Sequence, residues 1–129
     1  VTYDHRPAAK GRRAYASGLA AEARACAAVE QDGWTILGRR LRTPAGEIDA
    51  VAQKAGILVF LEVKSRPSLA AAAAALTQAQ RRRLLASAAI LLAANPLWGE
   101  TGVRFDVLLV DPAGRVRRII DAFRDDAQA

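Results

Sequence analysis

Cysteine and histidine each occur once in this 129-residue chain, and aromatic residues make up only 5% of it. Cys26 cannot close an internal disulfide, which fits a reducing compartment. It lies among alanines on a helical stretch, where a packed small hydrophobe is a better reading than a nucleophile. His5 has no ligand partner at metal-binding spacing, so there is no zinc pattern; a glycine-rich phosphate loop and a serine-triad signature are missing as well. Glycine and proline are not enriched, and no apolar run approaches the roughly 18 residues of a spanning helix. No membrane segment is expected. Val1 to Pro7 lack the apolar core of a signal peptide, so a cytoplasmic location is the expectation, with an upstream portion left open by the absent initiator methionine.

Lysine is scarce too, at three residues against sixteen arginines, and the net charge is +6. A guanidinium offers a planar fork that matches phosphate oxygens better than an ammonium does, which favours a polyanionic partner, nucleic acid above all. Abundant Arg and Ala can equally reflect genomic base composition, so charge alone does not decide. Apolar residues amount to 52% of the chain, enough at this length for one core rather than two.

Residues 1–12, with Lys10, Gly11 and Arg12, read as a flexible basic arm, and 13–129 as a single domain. From about Ala14 to Asp32, Leu19, Ala23, Cys26 and Ala27 recur at helical spacing, and Asp32-Gly33 supplies a stop. Strands are expected at Trp34 to Arg42, Glu47 to Gln53 and Ile57 to Lys64, with turns at Thr43-Pro44-Ala45-Gly46 and near Lys54-Ala55-Gly56. A second helix runs from about Thr77 to Ala94, with room for an extra turn in the alanine run before it. Asn95-Pro96 ends it. Val103 to Val110 and Val116 to Phe123 complete an order of helix, three strands, helix, two strands, which suits a mixed sheet packed against helices.

Asp49 and Glu62 sit inside otherwise oily strands, where carboxylates need something to neutralise them. If the second and third strands form a hairpin about Ala55-Gly56, Asp49 lies opposite Glu62, and Lys64 shares the face of Glu62. The other face would then hold Ile48, Ala50, Val59, Leu61 and Val63. Two facing carboxylates repel strongly at low dielectric, and a proton, a cation or a basic side chain must relieve the repulsion. Mg²⁺ fits, being a hard ion that takes oxygen ligands and completes its shell with water and substrate phosphate. Asp49 and Glu62 would be its ligands, and Lys64 could hold or deprotonate an attacking water. The alternative is structural: Lys64 simply neutralises the two acids as a partly buried cluster.

Four segments in order, Gly18-Leu19-Ala20-Ala21-Glu22, Gly46-Glu47-Ile48-Asp49, Val59-Phe60-Leu61-Glu62-Val63-Lys64-Ser65-Arg66 and Arg104-Phe105-Asp106-Val107, closely resemble the UPF0102 family, also called the YraN family. That resemblance implies an α/β, restriction-endonuclease-like mixed sheet flanked by helices, the fold of the PD-(D/E)xK nucleases, related at a distance to Holliday-junction resolvases. It further implies Asp49 and Glu62 as ligands of Mg²⁺ or Mn²⁺, Lys64 as the catalytic lysine, and Glu22 as an additional acidic residue from the first helix. Glu22 could also be a solvated helix glutamate, and Glu47 an edge ligand or a partner for an arginine. Two positions depart from the family pattern. Gln80 stands near a common lysine, and Arg40 where an asparagine is common.

Arg39, Arg40, Arg42, Arg66, Arg81, Arg82 and Arg83 are candidate phosphate contacts, although a charge run is usually a solvated face. Arg104 and Asp106 share a strand face and read as a structural ion pair. The leading expectation is a metal-dependent endonuclease acting on DNA rather than RNA, with branched or damaged forms as candidate substrates. The alternatives are a nucleic-acid-binding module with little catalysis of its own, or an interaction domain that binds neither metal nor nucleic acid. A homodimer is compatible with the sequence, but no stripe marks an interface.

Overall fold

A computed structural model describes residues 9–124, and side chains over 18–124. Helix α1 (Ala9–Gln31) leads into strands β1 (Thr35–Thr43), β2 (Gly46–Lys54) and β3 (Ile57–Ser65). Then come a short helix α2 (Leu69–Ala74), helix α3 (Gln78–Ala94), and strands β4 (Gly102–Val110) and β5 (Val116–Ile119). This is the expected order with α2 added where the alanine run allowed an extra turn. Ser68 starts α2 by accepting a hydrogen bond from the Ala71 amide, and Thr77 starts α3 by accepting one from Gln80. Each cap satisfies a backbone donor that the first turn of a helix leaves free.

Two expected boundaries move. Helix α1 begins at Ala9, so Ala9 to Arg12, read from sequence as part of the arm, are helical; Ala, Lys and Arg are all good helix formers. The rest of that arm, with His5, lies outside the described residues. Strand β5 ends at Ile119 rather than Phe123, because Asp121 takes a left-handed backbone (φ 55°) and its amide turns to donate to Asp106 Oδ1 at 2.9 Å.

The five strands lie in the order β1-β2-β3-β4-β5, antiparallel except for the β3–β4 pair. Central β3 is covered on both faces, which is why Leu58, Val59, Phe60 and Leu61 form an unbroken apolar run. Ala21, Ala25, Cys26 and Val29 of α1 pack on Ala50, Ala52, Val59, Leu61, Leu108 and Val110. The small side chains let the helix approach closely, and Cys26 is buried there, its thiol pushed up by burial. On the other face Leu84 and Ala88 of α3, with Leu76 and Phe123, cover Ile48, Val51, Leu58, Phe60 and Val107. No helix among the described residues is long and apolar enough to cross a membrane.

The β2–β3 turn has positive φ at both Ala55 (52°) and Gly56 (80°). A two-residue turn of that shape suits the twist of a hairpin but strains an alanine. Ala55→Asn is therefore expected to raise stability by about 0.5–1 kcal/mol, since asparagine tolerates the left-handed region. Urea unfolding would read this as a higher midpoint at unchanged slope.

Candidate metal and catalytic site

The register of the β2–β3 hairpin is the one expected from the turn, running from Lys54↔Ile57 to Ala50↔Leu61. There the two strands part. β2 continues to Gly46 paired only with β1, and β3 continues to Ser65 paired only with β4. Asp49, one residue past the last rung, turns its carboxylate into the opening and accepts from the Val63 amide at 2.8 Å. The side chain thereby replaces a ladder partner that β2 no longer supplies.

The alternation of β2 resets at the same place. Ala50 and Ala52 face α1, but Ile48 faces α3 instead of joining them as expected. Across the sheet, Arg40 lies between the pairs Arg39↔Ala50 and Leu41↔Ile48 and has a left-handed backbone (φ 53°). The pleat is thus broken opposite Asp49, where the alternation of β2 changes, while the register shift of β1 lies further along, between Ile36 and Gly38.

A cleft of about 480 Å³ opens at the parting, lined from α1 by Gly18, Ala21 and Glu22 and from the strands by Asp49, Glu62, Val63, Lys64, Ser65 and Arg66. All four residues singled out from the sequence, Glu22, Asp49, Glu62 and Lys64, line it. Glu62 is buried at 8% exposure, and Lys64 Nζ lies 3.6 Å from its Oε2. Burial, and then the neighbouring Asp49 carboxylate, push the Glu62 carboxyl up to about 9, against the opposing pull of Lys64. An acid so placed holds its proton near neutral pH unless a cation arrives.

Glu22 is drawn elsewhere. Its Oε1 accepts from Arg40 Nε at 3.0 Å. Among the described residues no three Asp, Glu, His or Cys side chains converge as a metal cage, so the acidic centre is the pair Asp49 and Glu62.

Gln80 completes the arrangement from the α3 side of the sheet. Its amide nitrogen donates to Glu62 Oε2 at 2.6 Å, and its oxygen accepts from Lys64 Nζ at 3.1 Å. Sequence reasoning noted this residue only as a departure from a family lysine. The available signal was Thr77-Gln78-Ala79-Gln80, a pattern in which the glutamine normally reaches back to cap its own helix. Thr77 does its part, but the Gln80 side chain goes to the two charged groups instead. Gln80→Ala is expected to leave Glu62 and Lys64 without their shared hydrogen-bond partner. Thermal unfolding should show a loss of about 1–3 kcal/mol, because both charged groups are mostly buried.

A model of the Uncharacterised protein family UPF0102 matches residues 21–110, a span that includes every charged residue lining the cleft. The chain belongs to the UPF0102 family. A UPF0102 protein of Granulibacter bethesdensis is 56% identical over 119 residues, covering 92% of this chain and 75% of its own. One from Acidiphilium cryptum is 46% identical over 121 residues, covering 94% of each. One from a Bradyrhizobium species is 46% identical over 110 residues, covering 85% of this chain and 78% of its own.

Arg40 holds a left-handed backbone, a region that Asn adopts more readily than Arg, and its side chain reaches Glu22. Of the seven arginines named as phosphate contacts, Arg66 alone lines the cleft. Arg39 is exposed on β1, and Arg42 pairs with Glu47 at 3.4 Å on the surface. Arg81 and Arg82 line a separate depression beside Phe123, and the backbone end of Arg83 lies against Gly46. Arg104 and Asp106 do form the expected ion pair, at 2.9 Å.

Proposed function

We propose that this UPF0102 protein is a metal-dependent endonuclease that hydrolyses phosphodiester bonds in DNA, with branched or damaged DNA as the substrates to test first. The observation that carries the reading is the open end of the β2–β3 ladder, where Asp49, Glu62 and Lys64 line one cleft on a chain of net charge +6. A purely structural cluster gains nothing from interrupting a sheet to open a cleft onto its charges.

The donor set fits a hard divalent cation. Asp49 and Glu62 offer oxygen only, and the elevated proton affinity of Glu62 marks a place where positive charge is wanted. These two residues would hold Mg²⁺ or Mn²⁺, which when bound supplies neutralisation of phosphate charge and a more acidic water. Lys64, fixed by Gln80 and Glu62 at the cleft wall, is placed to orient the attacking water and to offset charge growing on the phosphate. Arg66 at the rim is placed to hold the substrate backbone.

One observation favours a second reading, a nucleic-acid-binding module with little turnover: the Arg40 contact leaves only two of the cleft's three carboxylates unengaged by arginine. Incubation with labelled duplex, single-stranded and four-way DNA separates the two. Cleavage that needs Mg²⁺ or Mn²⁺, stops with chelator and disappears in Lys64→Ala supports the nuclease. Salt-sensitive binding with no cleavage under any metal supports the module.

A further inference from the structure

A second cleft, of about 350 Å³, adjoins the first and shares Ala21, Ser65 and Arg66 with it. It continues past Arg24 of α1 to the β4–β5 turn, Asp111 to Gly114. Both clefts therefore open at the carboxyl ends of β3 and β4, the parallel pair, where α/β sheets commonly leave room for ligands.

The charges of this second cleft are arranged for an anion. Arg24 and Arg66 are both exposed. The Arg24 guanidinium rests on the turn, within 3.5 Å of the Gly114 carbonyl oxygen, and a Cβ on Gly114 would come 2.8 Å from its Nη1. Glycine at φ 84° thus makes room for it. Asp111, the one acid in the lining, is turned inward. Its Oδ1 accepts from the Ala113 and Arg115 amides and its Oδ2 from Arg115 Nε, all within 3.0 Å. Its negative charge is already matched, and the two guanidiniums are left facing the groove.

No aromatic ring lines either cleft among the described residues. Base stacking, the usual platform for single strands, has no support here, and the lining supplies cations and small apolar walls instead. Resting on the nuclease reading above, we propose that this groove carries the nucleic-acid backbone away from the cleavage point, with Arg66 and Arg24 holding the phosphate next to the one attacked. Recognition in it is of sugar-phosphate, not of base sequence.

Fluorescence anisotropy on the full-length chain tests this, using labelled duplexes of two unrelated sequences, with Ca²⁺ in place of Mg²⁺ to hold back cleavage. Arg24→Ala and Arg66→Ala should each weaken binding by about 5- to 10-fold on both duplexes, and each should lower the slope of log affinity against log salt by about one. Arg24→Lys should recover most of the loss. Lys54→Ala, which removes the same charge from the far end of the hairpin, should bind as wild type does. If wild type binds and Arg24→Ala matches it in affinity and salt slope, the groove is overturned while the nuclease reading stands. If wild type binds neither duplex nor a labelled four-way junction, both fall. A loss confined to one sequence overturns the claim that only backbone is read.

Discussion

On the proposed nuclease reading, Glu62→Gln is expected to reduce cleavage by about 10²–10³-fold while making the metal-free protein more stable. The two effects have one cause. Glu62 is buried beside Asp49, which raises its proton affinity in the folded state well above that of the unfolded chain. Such a group contributes fully below its unfolded pKa, near 4.5, and that contribution is lost as pH rises toward about 9. Metal-free wild type should therefore weaken across that window, whereas the glutamine variant should not. At about pH 8 the variant should lead by about 2–3 kcal/mol, and near pH 4 the two should coincide. Glutamine keeps the shape and can still accept from Gln80. On the proposal that Asp49 and Glu62 hold the metal, adding Mg²⁺ should raise the melting temperature of wild type and not of the variant, by mass action. Equal activity of the two proteins would remove Glu62 from the chemistry.

The largest loss of stability is expected at Asp106, away from the cleft. Its carboxylate is fully buried and accepts from Arg104 Nε and Nη2, Arg118 Nε and the Asp121 amide, at 2.8–3.0 Å. Both guanidiniums also lie over the Trp34 ring, 5.3 and 5.0 Å from its centre. Asp106→Ala leaves two mostly buried cations facing one another with no counter-charge. A cost of about 3–5 kcal/mol follows from such a broken buried pair, and thermal unfolding should show it directly. Replacing Arg118 as well should restore part of the loss, because one orphaned charge goes with it. A melting temperature within a degree or two of wild type would contradict this account.

The element order and the hairpin register could be read from the sequence because both rest on strong local signals. Asn95-Pro96 and the short Ala55-Gly56 turn fix where elements end, and a two-residue turn fixes every pair above it. Extending that register one rung puts Asp49 opposite Glu62, but the ladder stops at Ala50↔Leu61 and Asp49 meets Glu62 and Lys64 through the open fork instead. Ile48 was misplaced because strict alternation fails beside the left-handed Arg40, and backbone conformation at an arginine leaves no mark in composition. Gln80 was undervalued for a different reason. A glutamine three residues after a capping threonine looks like a helix start, and only the packing of α3 over β3 brings it to Glu62 and Lys64. Arg24 stood out least, since nothing local ties it to a turn ninety positions away.

The fork between β2 and β3 also sets a limit on how this protein could be made sturdier. A β-branched apolar residue in place of Asp49 would suit a strand, and with the carboxylate gone the Val63 amide would seek a backbone acceptor on β2. The two strands could then zip further toward Gly46, gaining rungs and closing the very gap that gives access to Glu62. Stabilising the hairpin in that way would trade access to Glu62 for sturdiness, the usual exchange between stability and function.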